Sequence, residues 1–218
     1  MRAGRQQVTW YDQVPSRMRP LLWAKIFSTA AFMCIFFLGY FYVLKHPAFA
    51  VTQMPLTALD RIIGFYPPAL GMYVSLWIYV SIPPALLLTS RELLAYGLWI
   101  GGLCMVGLAC FLFWPTAIAE YPADWGQQPG VQFLKGVDAS GNACPSLHVG
   151  TAVFSAIWLD RLLREMGSGQ VARIINWAWF VAIAWSTLAI KQHVVLDAVG
   201  GVLLGVPFAL LSLRNRHV

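Results

Sequence analysis

From Leu93 to Ala119 the chain reads LLAYGLWIGGLCMVGLACFLFWPTAIA, without one Asp, Glu, Lys or Arg. A helix needs about 20 apolar residues to cross the hydrocarbon layer of a bilayer. This run is long enough, and a helix satisfies its own backbone where lipid offers no hydrogen-bond partner. Upstream, Ile62 to Ser90 lacks the same four residue types. Over the 218 residues 59% are hydrophobic and only 11% are charged, against about 25% charged in a soluble domain. A soluble fold would need a core too large for its polar residues to cover. The reading is an all-α integral membrane protein.

Six transmembrane helices are expected, at roughly 22–44, 66–88, 93–115, 146–163, 174–191 and 194–213. Pro83-Pro84 interrupts the second and should kink it. Basic residues set the orientation. With six spans, eleven Lys and Arg fall on one side and four, Lys45, Arg61, Lys135 and Lys191, on the other. The richer side should be cytoplasmic, with both termini there. The chain then divides into a basic cytoplasmic segment 1–21, a six-helix membrane domain 22–213 and a tail 214–218. The net charge of +6 reports topology and does not point to nucleic acid.

The start of the chain has a basic segment, an apolar run and Ala48-Phe49-Ala50, as a signal peptide would. The run from Ile26 to Leu44 is 19 residues, longer than the usual apolar region of about 7–15, so an uncleaved first span is expected. Cys34, Cys104, Cys110 and Cys144 form no CxxC pair, so neither a disulfide framework nor a structural zinc site is expected. Two long outer loops, about 45–65 and 116–145, flank the second and third spans. The second is rich in Gly, Pro, Gln and Asp and leads into Cys144-Pro145-Ser146-Leu147-His148.

Polar residues inside spans are costly and draw functional attention. Two clusters fall on the outer side: segment 144–151, with Ser146 and His148, and segment 186–197, with Ser186, Thr187, Lys191, His193 and Asp197. His193 and Asp197 are four residues apart, which places them on one helical face. A carboxylate on one imidazole nitrogen fixes the tautomer and frees the other to attack. His148 can serve as the proton donor to a leaving oxygen. Pro145 suits a first helical turn, and Ser146 with the helix amides offers an anion site. Lys191 adds positive charge, and Lys135 can add more. This set points to phosphoryl transfer, with catalytic His193, His148 and Asp197, and phosphate-binding Ser146, Lys191, Ser186 and Thr187. Blander readings exist. A membrane histidine can simply bond a neighbouring helix, Ser186 and Thr187 can bond the carbonyl one turn back, and Lys191 can mark the interface. His148, His193 and Asp197 also form a two-histidine, one-carboxylate set, but a hard divalent metal would want more carboxylates. No metal and no cofactor is expected.

These motifs resemble those of the type-2 phosphatidic acid phosphatase (PAP2) superfamily. Pro145-Ser146-Leu147-His148 is similar to its Pro-Ser-Gly-His motif, with Leu for Gly. Ser186-Thr187, followed by His193 and Asp197, keeps the spacing of Ser-Arg-x5-His-x3-Asp, with Thr187 for Arg. The first family motif, Lys-x6-Arg-Pro, is absent, and Phe113-Trp114-Pro115-Thr116 stands where it is expected. The Pro-Ser-Leu-His form with Lys191-Gln192-His193 looks most like the inositol phosphorylceramide and sphingomyelin synthase branch. The resemblance implies a six-helix bundle of the PAP2/haloperoxidase type and a metal-free mechanism. In it His193 forms a phosphohistidine, Asp197 supports it and His148 protonates the leaving group. The expected function is a membrane phosphatase for a lipid phosphate or diphosphate, set in a bacterial inner membrane with its site facing the periplasm or exterior. The alternatives are a lipid phosphotransferase and a transporter. The expected partners are the lipid phosphate substrate and membrane lipids; no nucleic acid is expected, and no protein partner follows from the sequence.

Overall fold

The structure is a computed structural model that describes residues 9–118 and 142–214. The segment 119–141, with Lys135, lies outside the described residues, as do 1–8 and 215–218. A short helix α1 (Gln13–Met18) precedes α2 (Leu22–Lys45). The segment that follows holds a two-residue strand β1 (Thr52–Gln53) and helix α3 (Ala58–Ile62). A 3-10 turn at Pro67–Ala69 opens α4 (Leu70–Val74), continued by α5 (Leu76–Ala85). Then come α6 (Ser90–Phe113), strand β2 (Thr116–Ala117), α7 (Leu147–Glu165), α8 (Gln170–Ala189) and α9 (Val195–Arg214).

Five helical runs are long and apolar enough to cross a membrane: Leu22–Lys45, Pro67–Leu86, Ser90–Phe113, Gln170–Ala189 and Val195–Arg214. The chain is a multi-span, all-α membrane protein. Helix α7 is not among the five. Asp160, Arg161, Arg164 and Glu165 crowd its last turns, and most of its residues are buried against other helices. It is the hub of the bundle, in contact with α5, α6, α8 and above all α9. A helix shielded by neighbours can carry polar groups that lipid would not tolerate.

Helix boundaries follow local chemistry. Thr89 and Glu92 form a reciprocal capping box at the start of α6, satisfying two orphan amides. Pro83 and Pro84, expected from the sequence to interrupt and kink the second span, stand at its end. They lie in the last turn of α5, and the helix ends at Ala85. Neither proline can donate a helical hydrogen bond. The Ala85 carbonyl left at that end accepts from the Lys25 ammonium at 2.9 Å. The break in the second span is instead at Ser75, between α4 and α5.

Polar groups in the interior bond across helices, as a lipid setting demands. The Tyr79 hydroxyl donates to Asn176 Oδ1 at 2.7 Å, and Asn176 Nδ2 donates to the Ala156 carbonyl at 3.0 Å, joining α5, α8 and α7. Trp158 Nε1 donates to Ser212 Oγ at 2.8 Å, between α7 and α9.

Helices α7 and α9 approach until their backbones touch. A Cβ added at Gly201 would lie 2.4 Å from the Ser146 carbonyl oxygen, and one at Gly205 would lie 2.4 Å from that of Gly150. Small residues permit such close approach. Strands β1 and β2 pair in parallel, Thr52 opposite Thr116 and Gln53 opposite Ala117. This ribbon ties the segment after α2 to the end of α6.

Candidate active site

The two polar clusters meet at one end of the bundle. Ser146 caps α7, its Oγ accepting from the Val149 amide at 3.3 Å. Pro145 stands before this cap and outside the first helical turn where it was expected; Ser146, whose side chain can accept, takes the boundary. The Ser146 amide donates to the Asp197 main-chain carbonyl at 2.9 Å. That bond joins segment 144–151 to segment 186–197 directly.

His148 and His193 face each other, with ring centroids 5.7 Å apart and planes at 58°. The Tyr73 ring stacks on His148 at 4.6 Å and 28°, and Trp77 meets it edge-on at 6.1 Å. These contacts restrain the imidazole from the α4–α5 side. His193 and Asp197 are both buried. His193 Nδ1 lies 3.5 Å from Asp197 Oδ2, too long for a formed hydrogen bond, though catalytic contacts often tighten only with substrate bound. Asp197 Oδ2 accepts from the Val194 amide at 2.9 Å, which fixes the carboxylate in the first turn of α9. Both ring nitrogens of His193 and Oδ1 of Asp197 are buried without a hydrogen-bond partner among the described residues. Unsatisfied buried polar atoms of this kind ask for an explanation.

The turn that carries His193 is built by its neighbours. The Thr187 carbonyl accepts from the amides of both Gln192, at 3.0 Å, and His193, at 3.1 Å. The Ser186 hydroxyl donates to the Ile183 carbonyl at 2.7 Å, and the Thr187 hydroxyl to that of Ala184 at 2.8 Å. Both hydroxyl protons are thus directed into α8. Lys191 takes a left-handed backbone, with φ of 56°. Its buried ammonium donates to the Asp60 carbonyl at 3.2 Å and to that of Ile63. Burial pulls its pKa below the ordinary lysine value, and the Asp60 carboxylate opposes that shift.

Sequence reasoning missed two anchors. Asp60, buried on α3, accepts from the Val195 amide through Oδ1 at 2.8 Å. Its Oδ2 accepts from the Thr57 amide at 2.8 Å and hydroxyl at 2.7 Å. The Thr57-x-x-Asp60 capping box was visible in principle; its link to residue 195 was not. Thr116 is fully buried. Its carbonyl accepts from the Ala143 amide at 3.0 Å, and its hydroxyl from the Cys144 amide at 2.7 Å. It thereby fixes the approach to Ser146 from the end of α6.

The Leu147 side chain, at the position where the resembled motif has Gly, fits against Gly107 of α6. A Cβ at Gly107 would come within 2.4 Å of Leu147 Cδ2. The larger residue on α7 is matched by an absent side chain on α6. Among the described residues no group of three or more His, Cys, Asp or Glu is arranged to hold a metal ion.

The sequence profile of the PAP2 superfamily matches residues 92–217. No curated protein and no solved structure matches the chain. The profile takes in α6 to α9, with both polar clusters and the glycines that let α7 and α9 touch. Matched over more than half of its length, the chain belongs to the PAP2 superfamily.

Proposed function

We propose that this protein is a membrane phosphatase for a lipid phosphate or diphosphate, working through a phosphohistidine on His193 at the outer face of a six-span bundle. Membership of the PAP2 superfamily supports lipid-phosphate hydrolase or transferase chemistry in general, and favours an enzyme over a transporter. The observation that carries the finer reading is the meeting of His148 and His193, 5.7 Å between centroids, beside the buried Asp197.

In this reading the Nδ1 proton of His193 turns toward Asp197 and Nε2 attacks phosphorus. Asp197 stabilises the ring charge that results. His148 gives its proton to the leaving oxygen, then takes one from the water that resolves the adduct. Ser146 and the amino end of α7 hold phosphoryl oxygens. Lys191, Ser186 and Thr187 maintain the turn that presents His193, with Lys191 adding charge from behind it. Helix α7 is the fourth of the six spans, residues 1–21 and 214–218 are cytoplasmic, and the site opens outward, as at a bacterial inner membrane.

A second reading has one observation of its own. Both family arginines are absent, and the Pro-Ser-Leu-His form looks like the sphingolipid synthase branch. A phosphotransferase in which a lipid alcohol replaces water would use the same adduct.

Rapid quench with a phosphate-labelled lipid substrate tests the core of the proposal. The trapped protein label should be acid-labile and base-stable, and His193→Ala should lose it, with turnover falling about a thousandfold or more. His148→Ala should still form the adduct when the leaving group is a good phenolate. Acid-stable label on Ser146, or near-normal turnover in His193→Ala, would overturn the mechanism. Adding diacylglycerol, ceramide or inositol to the assay separates transfer from hydrolysis.

A further inference from the structure

Six buried side-chain polar atoms lack a hydrogen-bond partner among the described residues. Three belong to His193 and Asp197, and one is Ser168 Oγ. The other two are Nδ2 and Oδ1 of Asn142, both ends of its carboxamide. Native interiors rarely leave a carboxamide so, because each orphaned group forfeits the hydrogen bonds it made in water. Asn142 is 7% exposed and His193 5%, so the two are about equally closed off. Their chain neighbours Ala143 and Val194 share one hydrophobic cluster with Met54. Four residues on from Asn142, Ser146 opens α7 and donates its amide to the Asp197 carbonyl.

The ordinary duties of such an asparagine are carried by other groups. Asn in a loop commonly bonds its own backbone, and the Asn142 side chain makes no such bond among the described residues. Its segment is held by Thr116 instead, which pairs with Asn142 as a parallel bridge. Thr116 also accepts from the Ala143 and Cys144 amides at 3.0 Å and 2.7 Å. Meanwhile Ser186, Thr187 and Lys191, all expected to bind phosphate, donate to main-chain carbonyls.

We propose that Asn142 is a substrate-binding residue, whose Nδ2 donates to an oxygen of the phosphoryl group that His193 attacks. It is an uncharged donor in a site where the resembled motifs carry arginine. This deepens the phosphatase reading, on which it rests. A phosphate that keeps one proton also answers Oδ1, through its own hydroxyl, so a single group satisfies both orphaned atoms. Sulfate has no proton to give near neutral pH and can satisfy Nδ2 alone.

A carboxamide kept for a ligand weakens the unliganded fold, so removing it has a sign that a structural role would not share. Asn142→Leu keeps the approximate shape without the polar atoms, and Asn142→Ala removes both. The full-length protein in lipid nanodiscs is unfolded thermally with inorganic phosphate, with sulfate and with chloride, at equal ionic strength. In chloride the midpoint of Asn142→Leu should equal or exceed that of wild type. Phosphate should raise the wild-type midpoint above its value in sulfate, as a ligand of the native state does. In both variants that excess should vanish, with the apparent Kd for phosphate raised about tenfold. With a lipid phosphate that turns over, KM should rise by a similar factor.

Midpoints that fall in both variants would overturn the proposal, because Asn142 would then be bonded within the fold. So would a phosphate Kd within about twofold of wild type in either variant, or a wild-type midpoint that phosphate raises no more than sulfate does. The two readings fail differently. Phosphate binding that needs Asn142, with no phosphate released from any lipid ester, would remove the phosphatase and keep the ligand. Normal turnover and a normal His193 adduct in Asn142→Leu would remove the ligand and keep the phosphatase.

Discussion

One carboxylate, on α3, holds the turn that carries His193 from a distance in sequence. Asp60 binds the Val195 amide at 2.8 Å, and Val195 is two residues from His193 and two from Asp197. The same residue offers its carbonyl to Lys191 at 3.2 Å. Asp60→Asn replaces one acceptor oxygen with a donor that cannot pair with an amide N–H. It also removes the negative charge beside Lys191. Leaving a buried amide unpaired costs about 1–3 kcal/mol. The unfolding midpoint should therefore fall. If the loosened turn misplaces His193, kcat should fall about tenfold with KM little changed. Wild-type values of both the midpoint and kcat would remove Asp60 from this role. Its role could not be picked out from sequence, because Val195 and Lys191 lie more than a hundred positions away. His193 and Asp197 could, since their relation is local to one turn.

Among the elements, the contact between α7 and α9 decides how close the two clusters come. Gly205 faces the Gly150 carbonyl and Val153 Cγ1, each 2.4 Å from the Cβ it lacks. Neither helix can accept a methyl group there without shifting. Gly205→Ala should lower stability by about 1–3 kcal/mol, the usual cost of overpacking, and lower turnover by widening the gap between His148 and His193. Gly71→Ala is the control, because nothing lies within 4 Å of its missing Cβ and alanine favours helix by up to about 1 kcal/mol. Paired thermal unfolding and activity measurements check both; a Gly205→Ala protein as stable and active as wild type would show that the helices can part. The five long apolar spans were legible because charge-free runs mark lipid contact whatever the partner helix. The glycine contacts were not, since a helical glycine reads the same whether it faces lipid or backbone. The prolines of α5 were legible as breakers but not in position, because only the packed Lys25 shows where the helix ends.

At the scale of the whole molecule, the chain separates its polar chemistry by end. His148, His193 and Asp197 gather at one end with α3 and the β1–β2 ribbon. At the other end of α7, Arg164 and Arg173 hold Asp160 at 2.8 Å and 2.7 Å, and Lys25 holds the Arg17 carbonyl at 2.7 Å. Much of the basic excess counted in the sequence thus lies opposite the candidate site. If basic loops stay in the cytoplasm, the site must face outward, where it would meet lipid phosphates of the outer leaflet. Two positions test this in a background freed of the four native cysteines. Ala58→Cys, on the exposed surface of α3, should react with a membrane-impermeant maleimide in intact cells. Gln170→Cys, exposed at the start of α8, should react only after the membrane is permeabilised. The opposite pattern would turn the molecule over, placing the histidines in the cytoplasm and the arginines outside. The lipid phosphate would then come from the inner leaflet, while the geometry of His148, His193 and Asp197 would be unchanged. Orientation and chemistry are therefore separable claims, and the labelling decides the first without reference to any substrate.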